Sequence, residues 1–599
     1  MPPLSRYLLG LWRHASELPQ SAFFPHAPSA QRNRATLLWL AGGARSFSGH
    51  SLEGDARFGW AEVPYAEPRV HDREYHGRVW RDEFCWMETA TYPMLSHLRD
   101  EARYAEAVLS ELRPLRARLE QEIKDFTPPV LGSLPEALGE WKYFTAAAEG
   151  RPMATYMRER VDGSAPAEVI LDCNQLEALH EFGSVGTIKM SPCQGLLAYT
   201  VDAGGDERFS CWVKDLDQGR ILHADTLPSV GSVEWSADGS CLVYTVPEED
   251  GRPSRVMRHW IGFPVAQDEC LFHEWDPAAY VDISRTKDWA FLVINVNSKA
   301  FSEVHLLSAD TAQKPRLVSP RKAGHQYFVE HSHGHLAILA NRGSPDYDLV
   351  SVPFAADDIS AGAWTSLFHR REDLILEDMD VFHTCAVLYC RRHGMPEVAV
   401  LTMPPSPAQD LKKLCLPPWA LSLEPGVNPD PASTELLLCA SSPIHPHHWL
   451  RFDLSNPTGV PDLLRVDGRC QCAEFCCAGE PQPSGDVDNP SPPAVGSAAG
   501  HQLDPGNSGN EACTWENGAG SGLQCSRILV DTSDNHSGSC RLPVTVMHRQ
   551  DLALDGTAPL LMSMYGAYGI SMEVLNGGCR PSPRDPSLSA CSLTKLTHG

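Results

Sequence analysis

Met190-Ser-Pro-Cys-Gln-Gly-Leu-Leu-Ala-Tyr-Thr200 and Trp235-Ser-Ala-Asp-Gly-Ser-Cys-Leu-Val-Tyr-Thr245 are one phrase written twice, 45 residues apart. Each opens on a turn containing Ser and Gly and runs into an apolar strand ending in Tyr-Thr. Ile283-Ser-Arg-Thr-Lys-Asp-Trp-Ala-Phe-Leu-Val-Ile294 follows 48 residues after the second copy. Related strands recur near His335-Leu-Ala-Ile-Leu, Thr384-Cys-Ala-Val-Leu-Tyr and Glu435-Leu-Leu-Leu-Cys. Earlier strands start at Trp141-Lys-Tyr-Phe and Ala154-Thr-Tyr-Met. A period of about 40–50 residues with several strands in each unit is the pattern of a β-propeller. Counting from Trp141 gives seven units, so the expected fold is mainly β, with a seven-bladed propeller over residues 139–468. Two unrelated β-sandwiches would supply as many strands without repeating the turn at constant spacing.

Outward from the repeats the texture changes on both sides. From Tyr92 to Asp125 apolar residues such as Leu95, Leu98, Leu112, Leu115, Leu119 and Ile123 return at helical steps, and Pro114 divides the run into two helices. Residues 64–138 are therefore a helical N-terminal segment. Residues 1–52 carry five arginines, no lysine and Glu17 as the sole acid. That is the composition of an organellar transit peptide, directing the expectation to mitochondrion or plastid. A disordered leader on a cytoplasmic protein is the alternative. On the far side, residues 469–540 gather Cys470, Cys472, Cys476 and Cys477 and then become rich in Pro, Gly, Ser and Asn. With so little apolar content the tract is read as an unstructured insertion, not a zinc site. Residues 541–573 return to strands at Leu542–His548 and Pro559–Tyr565, read as a hairpin, and 574–599 lose all periodicity.

Composition narrows the function classes. The 599-residue chain is 42% hydrophobic and 21% charged, enough to bury sizeable cores. Its net charge of −26 argues against a nucleic-acid partner, which requires a basic footprint. No apolar run reaches the length of a membrane-spanning helix. The nineteen cysteines are scattered singly from Cys85 to Cys439 and cluster only after residue 469, and a cysteine standing singly inside an apolar strand is usually a free buried thiol.

Three stretches together carry a family resemblance: His76-Gly-Arg-Val-Trp-Arg-Asp-Glu-Phe-Cys-Trp-Met-Glu88, the propeller repeats, and Pro559 to Glu573 around Tyr565-Gly-Ala-Tyr-Gly569. They resemble the prolyl oligopeptidase family of serine peptidases, most of all its oligopeptidase B branch. The resemblance implies a propeller capping an α/β-hydrolase domain, of which residues 541–573 hold only the first strands. It also implies cleavage of short peptides after Arg or Lys, with no cofactor, so the expected partners are short peptides with basic residues. Tyr565 takes the place of the family's oxyanion-hole tyrosine, whose hydroxyl donates to the tetrahedral intermediate. Glu573 takes the first of two acidic positions that bind basic side chains, and Leu575 replaces the second.

The nucleophile is missing from this sequence. A hydrolase of this kind needs Gly-x-Ser-x-Gly followed by Asp and His. Ser51, Ser508 and Ser571 each have a glycine two residues before them but Glu53, Asn510 or Glu573 two residues after. The chain is expected to be C-terminally truncated before its triad and inactive alone. A noncatalytic propeller that binds a partner is the competing reading. Two histidine groups are weak metal candidates: His331, His333 and His335, read as one strand face, and His445, His447 and His448. Gly577-Gly578 lacks the strand-to-helix context of a phosphate loop.

Overall fold

The computed structural model describes residues 63–467 apart from short breaks, and beyond them strands between 512 and 564 and at 589–593. Seven four-stranded antiparallel sheets follow one another in chain order, each a simple meander. Blade 1 runs from strand Glu136–Leu138 to Glu168–Asp172, blade 2 from Ser184–Met190 to Arg220–Ile221, and blade 3 from Val233–Trp235 to Glu269–His273. Blade 4 spans Tyr280–Arg285 to Arg316–Ser319, blade 5 Tyr327–Ser332 to Thr365–Phe368, blade 6 Leu374–Val381 to Lys412–Lys413, and blade 7 Ser422–Pro425 to Asp462–Asp467. First strands of blades 2 and 3, 3 and 4, and 5 and 6 lie against one another, which places the first strands toward the axis.

The repeated phrase is a repeated turn. Ser236 donates its N–H to Cys241 O (3.0 Å) and its Oγ accepts the Cys241 N–H (3.1 Å). Ser191 makes the same pair with Leu196 at 2.9 and 3.0 Å, and Thr286 with Phe291 at 2.9 and 3.0 Å. The third residue of the turn holds the hydroxyl: Asp238 and Asp288 each accept it at 2.8 Å. A short hydroxyl side chain is required there because only it reaches back to cap the second strand.

Blades cohere by stacking apolar faces. Leu197, Tyr199 and Val201 pack on Ile170 and Leu171 between blades 1 and 2. Comparable cores join blades 2 to 3, 3 to 4, 4 to 5, 5 to 6 and 6 to 7. Among the described residues no such cluster joins blade 7 to blade 1. Nor do the two share a strand, since all four strands of blade 7 come from residues 422–467. Their seam is polar: Glu136 accepts the N–H groups of Val427 (3.0 Å) and Asn428 (2.6 Å), and Arg465 donates to Gly132 O (2.6 Å).

The segment before the propeller forms a separate unit. Strands His71–Tyr75 and Arg78–Asp82 join through His76-Gly77, both at positive φ (51° and 69°), the geometry of a tight hairpin turn. Asp82 then holds Arg73 (3.0 Å) and accepts the Phe84 N–H (2.9 Å), while Trp86 donates to Glu67 O (3.1 Å). The His-Gly, Asp and Trp of the quoted motif thus have structural work. Helices α1 (Tyr92–Val108) and α2 (Arg113–Phe126) follow, with Pro114 in the first turn of the second.

Beyond the propeller the structure departs from expectation twice. The tract read as unstructured over 469–540 contains strand Leu523–Asp534, paired along its length with Gly538–Arg549. The composition of the whole tract hid Leu523-Gln-Cys-Ser-Arg-Ile-Leu-Val530, which alternates and ends apolar. The expected hairpin between 542–548 and 559–565 does not form either. Ser589–Leu593, in the stretch read as featureless, lies between them, antiparallel to Gly538–Arg549 and parallel to Leu560–Met564. This sheet is seated on blades 6 and 7: Cys525 and Met547 pack with Leu421 and Ile444. At Gly394 (φ +80°) a Cβ would lie 2.8 Å from Pro543, so the contact admits only glycine. Cys173, Cys211, Cys390 and Cys525 are buried free thiols, each pushed up to about 12 by burial.

The contrast between stacked and polar seams is measurable. Ile338→Ala, inside the core between blades 4 and 5, should cost about 2–5 kcal/mol. Glu136→Ala at the seam should cost about 1–2 kcal/mol, the loss of two backbone hydrogen bonds to a carboxylate. Urea unfolding of both variants decides it, and an equal or larger loss for Glu136→Ala would mean that the polar seam is the stronger joint.

Candidate functional site

The first strands bring charged residues from distant parts of the sequence to the axis. Lys287, which follows the first strand of blade 4, is mostly buried and reaches three other blades. Its ammonium pairs with Asp380 of blade 6, donates to Asn428 O beyond the first strand of blade 7 (2.9 Å), and lies 4.1 Å from the centre of the Phe382 ring. Its backbone N–H donates to Glu330 of blade 5 (3.1 Å). Asn428, at φ 45°, gives its own N–H to Glu136 of blade 1 and accepts the Leu437 N–H (2.8 Å). One connected polar strap therefore ties blades 4, 5, 6, 7 and 1 at the axis.

A second group lies on blades 2 to 4. Lys189 pairs with the buried Glu234 across the blade 2–3 interface. Asp282 stands nearby in the first strand of blade 4; burial pushes its carboxyl up to about 6, against the opposing pull of Ser232 and Lys189. Arg285 stacks its guanidinium 3.0 Å from the Trp289 ring centre. The arrangement gathers charged side chains near the axis, most of them paired with an opposite charge, and the Ser232 hydroxyl is set beside the Asp282 carboxyl.

The histidine groups assort differently from their spacing. His331, His333 and His335 do not share a strand face: Ser332 ends one strand, His335 starts the next, and His333-Gly334 forms the turn at φ 51° and 71°. His331 Nδ1 faces Asp288 (2.6 Å), and His333 Nε2 donates to His383 O (2.5 Å). The local signal for this was His-Gly, which serves as the same turn at 76–77 and at 393–394. His445 and His448 flank the Trp419 ring, with centroids at 4.4 and 4.7 Å. His445 Nδ1 is 2.8 Å from Ser442 Oγ, and burial, with His448 close by, lowers the His445 ring to about 4. Tyr565 and Glu573 lie outside the described residues, as do Cys470, Cys472, Cys476 and Cys477. Sequence reasoning passed over Lys287, Asp380 and Asn428. Only Lys287 sat inside a quoted repeat, and nothing local distinguishes it.

The N-terminal β-propeller domain model of prolyl oligopeptidases matches residues 64–461. The chain belongs to the prolyl oligopeptidase family. Protease 2 of Moraxella lacunata is 28% identical over 57% of this chain and 50% of its own length. Dipeptidyl aminopeptidase BI of Pseudoxanthomonas mexicana is 25% identical over 88% of this chain and 66% of its own. The chain thus spans between half and two thirds of these family members. Oligopeptidase B of Leishmania major superposes with a TM-score of 0.72 at 21% identity, covering 89% of this chain and 71% of that one. The closed form of Trypanosoma brucei oligopeptidase B with covalently bound antipain gives 0.70 at 23% identity over the same shares. These two superpositions share the fold of this family member.

Two groups give its stability pH dependences of opposite sign. An unfolded histidine protonates near about 6.5, so between about 6.5 and 4 the unfolded chain takes a proton that folded His445 refuses, and stability falls with pH. An unfolded aspartate ionises near about 3.9, so between about 4 and 6 the unfolded chain releases a proton that folded Asp282 keeps, and stability falls as pH rises. His445→Gln should shrink the stability difference between pH 7 and pH 4, and Asp282→Asn should enlarge it. Denaturant titrations at both pH values check the two signs independently.

Proposed function

We propose that this chain carries the substrate-admitting propeller of a serine oligopeptidase that cleaves short peptides after Arg or Lys. The observation that carries the reading is the family propeller over residues 64–461 with strands Leu523–Asp534 and Gly538–Arg549 docked on its blades 6 and 7. A second chain segment seated on the propeller is what a capped hydrolase requires. The preference for basic side chains rests on the family resemblance and on the net charge of −26. Tyr565 is proposed as the oxyanion donor and Glu573 as a carboxylate for the basic side chain. The Arg-rich composition of residues 1–52 supports import into a mitochondrion or plastid.

Within these 599 residues no serine has glycines at both −2 and +2, so they supply neither nucleophile nor base. An oxyanion donor without a nucleophile has no tetrahedral intermediate to stabilise. That absence favours a second reading, in which the chain acts as a noncatalytic propeller that binds peptides.

The purified 599-residue chain should leave Arg- and Lys-containing peptide amides uncleaved and take no label from a fluorophosphonate. Stoichiometric labelling of one serine would overturn the assignment. For the leader, residues 1–52 fused to a fluorescent protein should report an organelle, and a diffuse cytoplasmic signal would reject import.

A further inference from the structure

Blade 3 carries a cavity of about 370 Å³ at the hairpin between its third and fourth strands, lined by Trp260, Phe263, Gln267 and Asp268. Trp260 is 39% and Phe263 56% exposed, so two aromatic faces reach solvent at one place. Beneath them lies a buried ionic network. His259 is fully buried with Nδ1 2.8 Å from Asp268 Oδ1 and Nε2 3.1 Å from Asp225 Oδ1. Tyr244 donates its hydroxyl to the other Asp268 oxygen (2.7 Å). One imidazole offers at most one positive charge against two carboxylates, so the floor is net negative in either state of the ring. Arg258, whose guanidinium lies 5.0 Å from the Trp260 ring centre, is itself paired with Glu269 and adds no net charge.

The rim is fixed. Gly262, at φ +86°, gives its N–H to Asp225 (2.5 Å), the Phe263 N–H goes to Trp260 O (3.1 Å), and the Asp268 N–H goes to Val265 O (3.0 Å). The backbone that carries the two rings is therefore set before any ligand arrives, which lowers the entropy cost of binding. Aromatic faces attract cations through their quadrupoles, and a negative floor with low solvent access strengthens that attraction.

We propose that this pocket binds the guanidinium or ammonium end of a basic side chain presented by a peptide, at a site apart from the charged groups near the axis. It stands independently of whether any peptide is cut. The aromatic walls hold the side chain's apolar stem and π-face contact, and the buried carboxylate of Asp268 (side chain 4% exposed) supplies negative charge from beneath the pocket without direct contact.

The test uses the full chain, with N-acetyl-arginine amide as probe and saturation-transfer NMR as readout. Wild type should bind saturably below about 10 mM. Trp260→Ala and Phe263→Ala should each weaken binding about fivefold or more, and Trp260→Phe should retain most of it. The neutral isostere N-acetyl-citrulline amide should bind much more weakly. The proposal is overturned if wild type shows no saturation, if the citrulline compound binds equally well, or if both alanine variants bind like wild type. Phe263 is exposed, so its alanine variant should fold normally, and a circular-dichroism melt verifies this.

Discussion

Blades 2 to 6 of this protein present apolar side chains on both of their faces, because each is packed between two neighbours through apolar clusters. The strand Phe291–Asn297 shows the consequence: Leu292, Ile294 and Val296 pack toward blade 3 while Phe291 and Val293 pack toward blade 5. A sheet with one wet face would alternate, and these strands do not. Burial of this kind is non-directional and scales with area, so it fixes stacking while leaving register to turns and polar contacts. Seven blades need seven interfaces, and among the described residues an apolar cluster spans six of them. At the seventh the chain relies on directional bonds from Glu136 and Arg465. The ring is thus stiff around most of its circumference and joined by a few hydrogen bonds at one seam.

The axial strap follows from that asymmetry. Lys287 and Asp380 are largely removed from water, and a buried pair of this sort gains little net stability once desolvation is counted. What it supplies is position. Asn428 adopts φ 45°, a conformation that asparagine tolerates better than most residues, and in doing so turns its carbonyl to Lys287 and its N–H to Glu136. Blade 7 is thereby held against blade 1 from the inside, where no apolar core holds it.

The architecture was legible because its cause is local. The Ser236–Cys241 turn, and its copies at 191 and 286, are each closed within six residues, so a linear reading captures them. Pro114 and the helical spacing around it were legible for the same reason. The seam was not, since Glu136 meets its partners 291 and 292 residues later. His331, His333 and His335 were read as one strand because spacing alone cannot distinguish a face from a turn. The deciding residue was Gly334, whose positive φ breaks the strand between them. Leu523–Asp534 was lost by averaging a strand into the polar tract that precedes it.

The sheet beyond the propeller is held unevenly, and this bears on how a hydrolase site would be placed. Its strands Leu523–Asp534 and Gly538–Arg549 are anchored by Cys525 and Met547 against blades 6 and 7, with the backbone at Gly394 in close contact with Pro543. Leu560–Met564 stands at the opposite edge, paired among the described residues with Ser589–Leu593, and Leu560, Leu561 and Met562 are more than half exposed. Each large apolar side chain left in water forgoes about 1.5–3 kcal/mol of burial, and an unpaired edge of this character invites association. Tyr565 follows directly on that strand. A residue that follows so open a strand takes its position from whatever surface covers Leu560–Met562. The anchored strands are thus fixed against the propeller, while the edge strand keeps its apolar side chains in water.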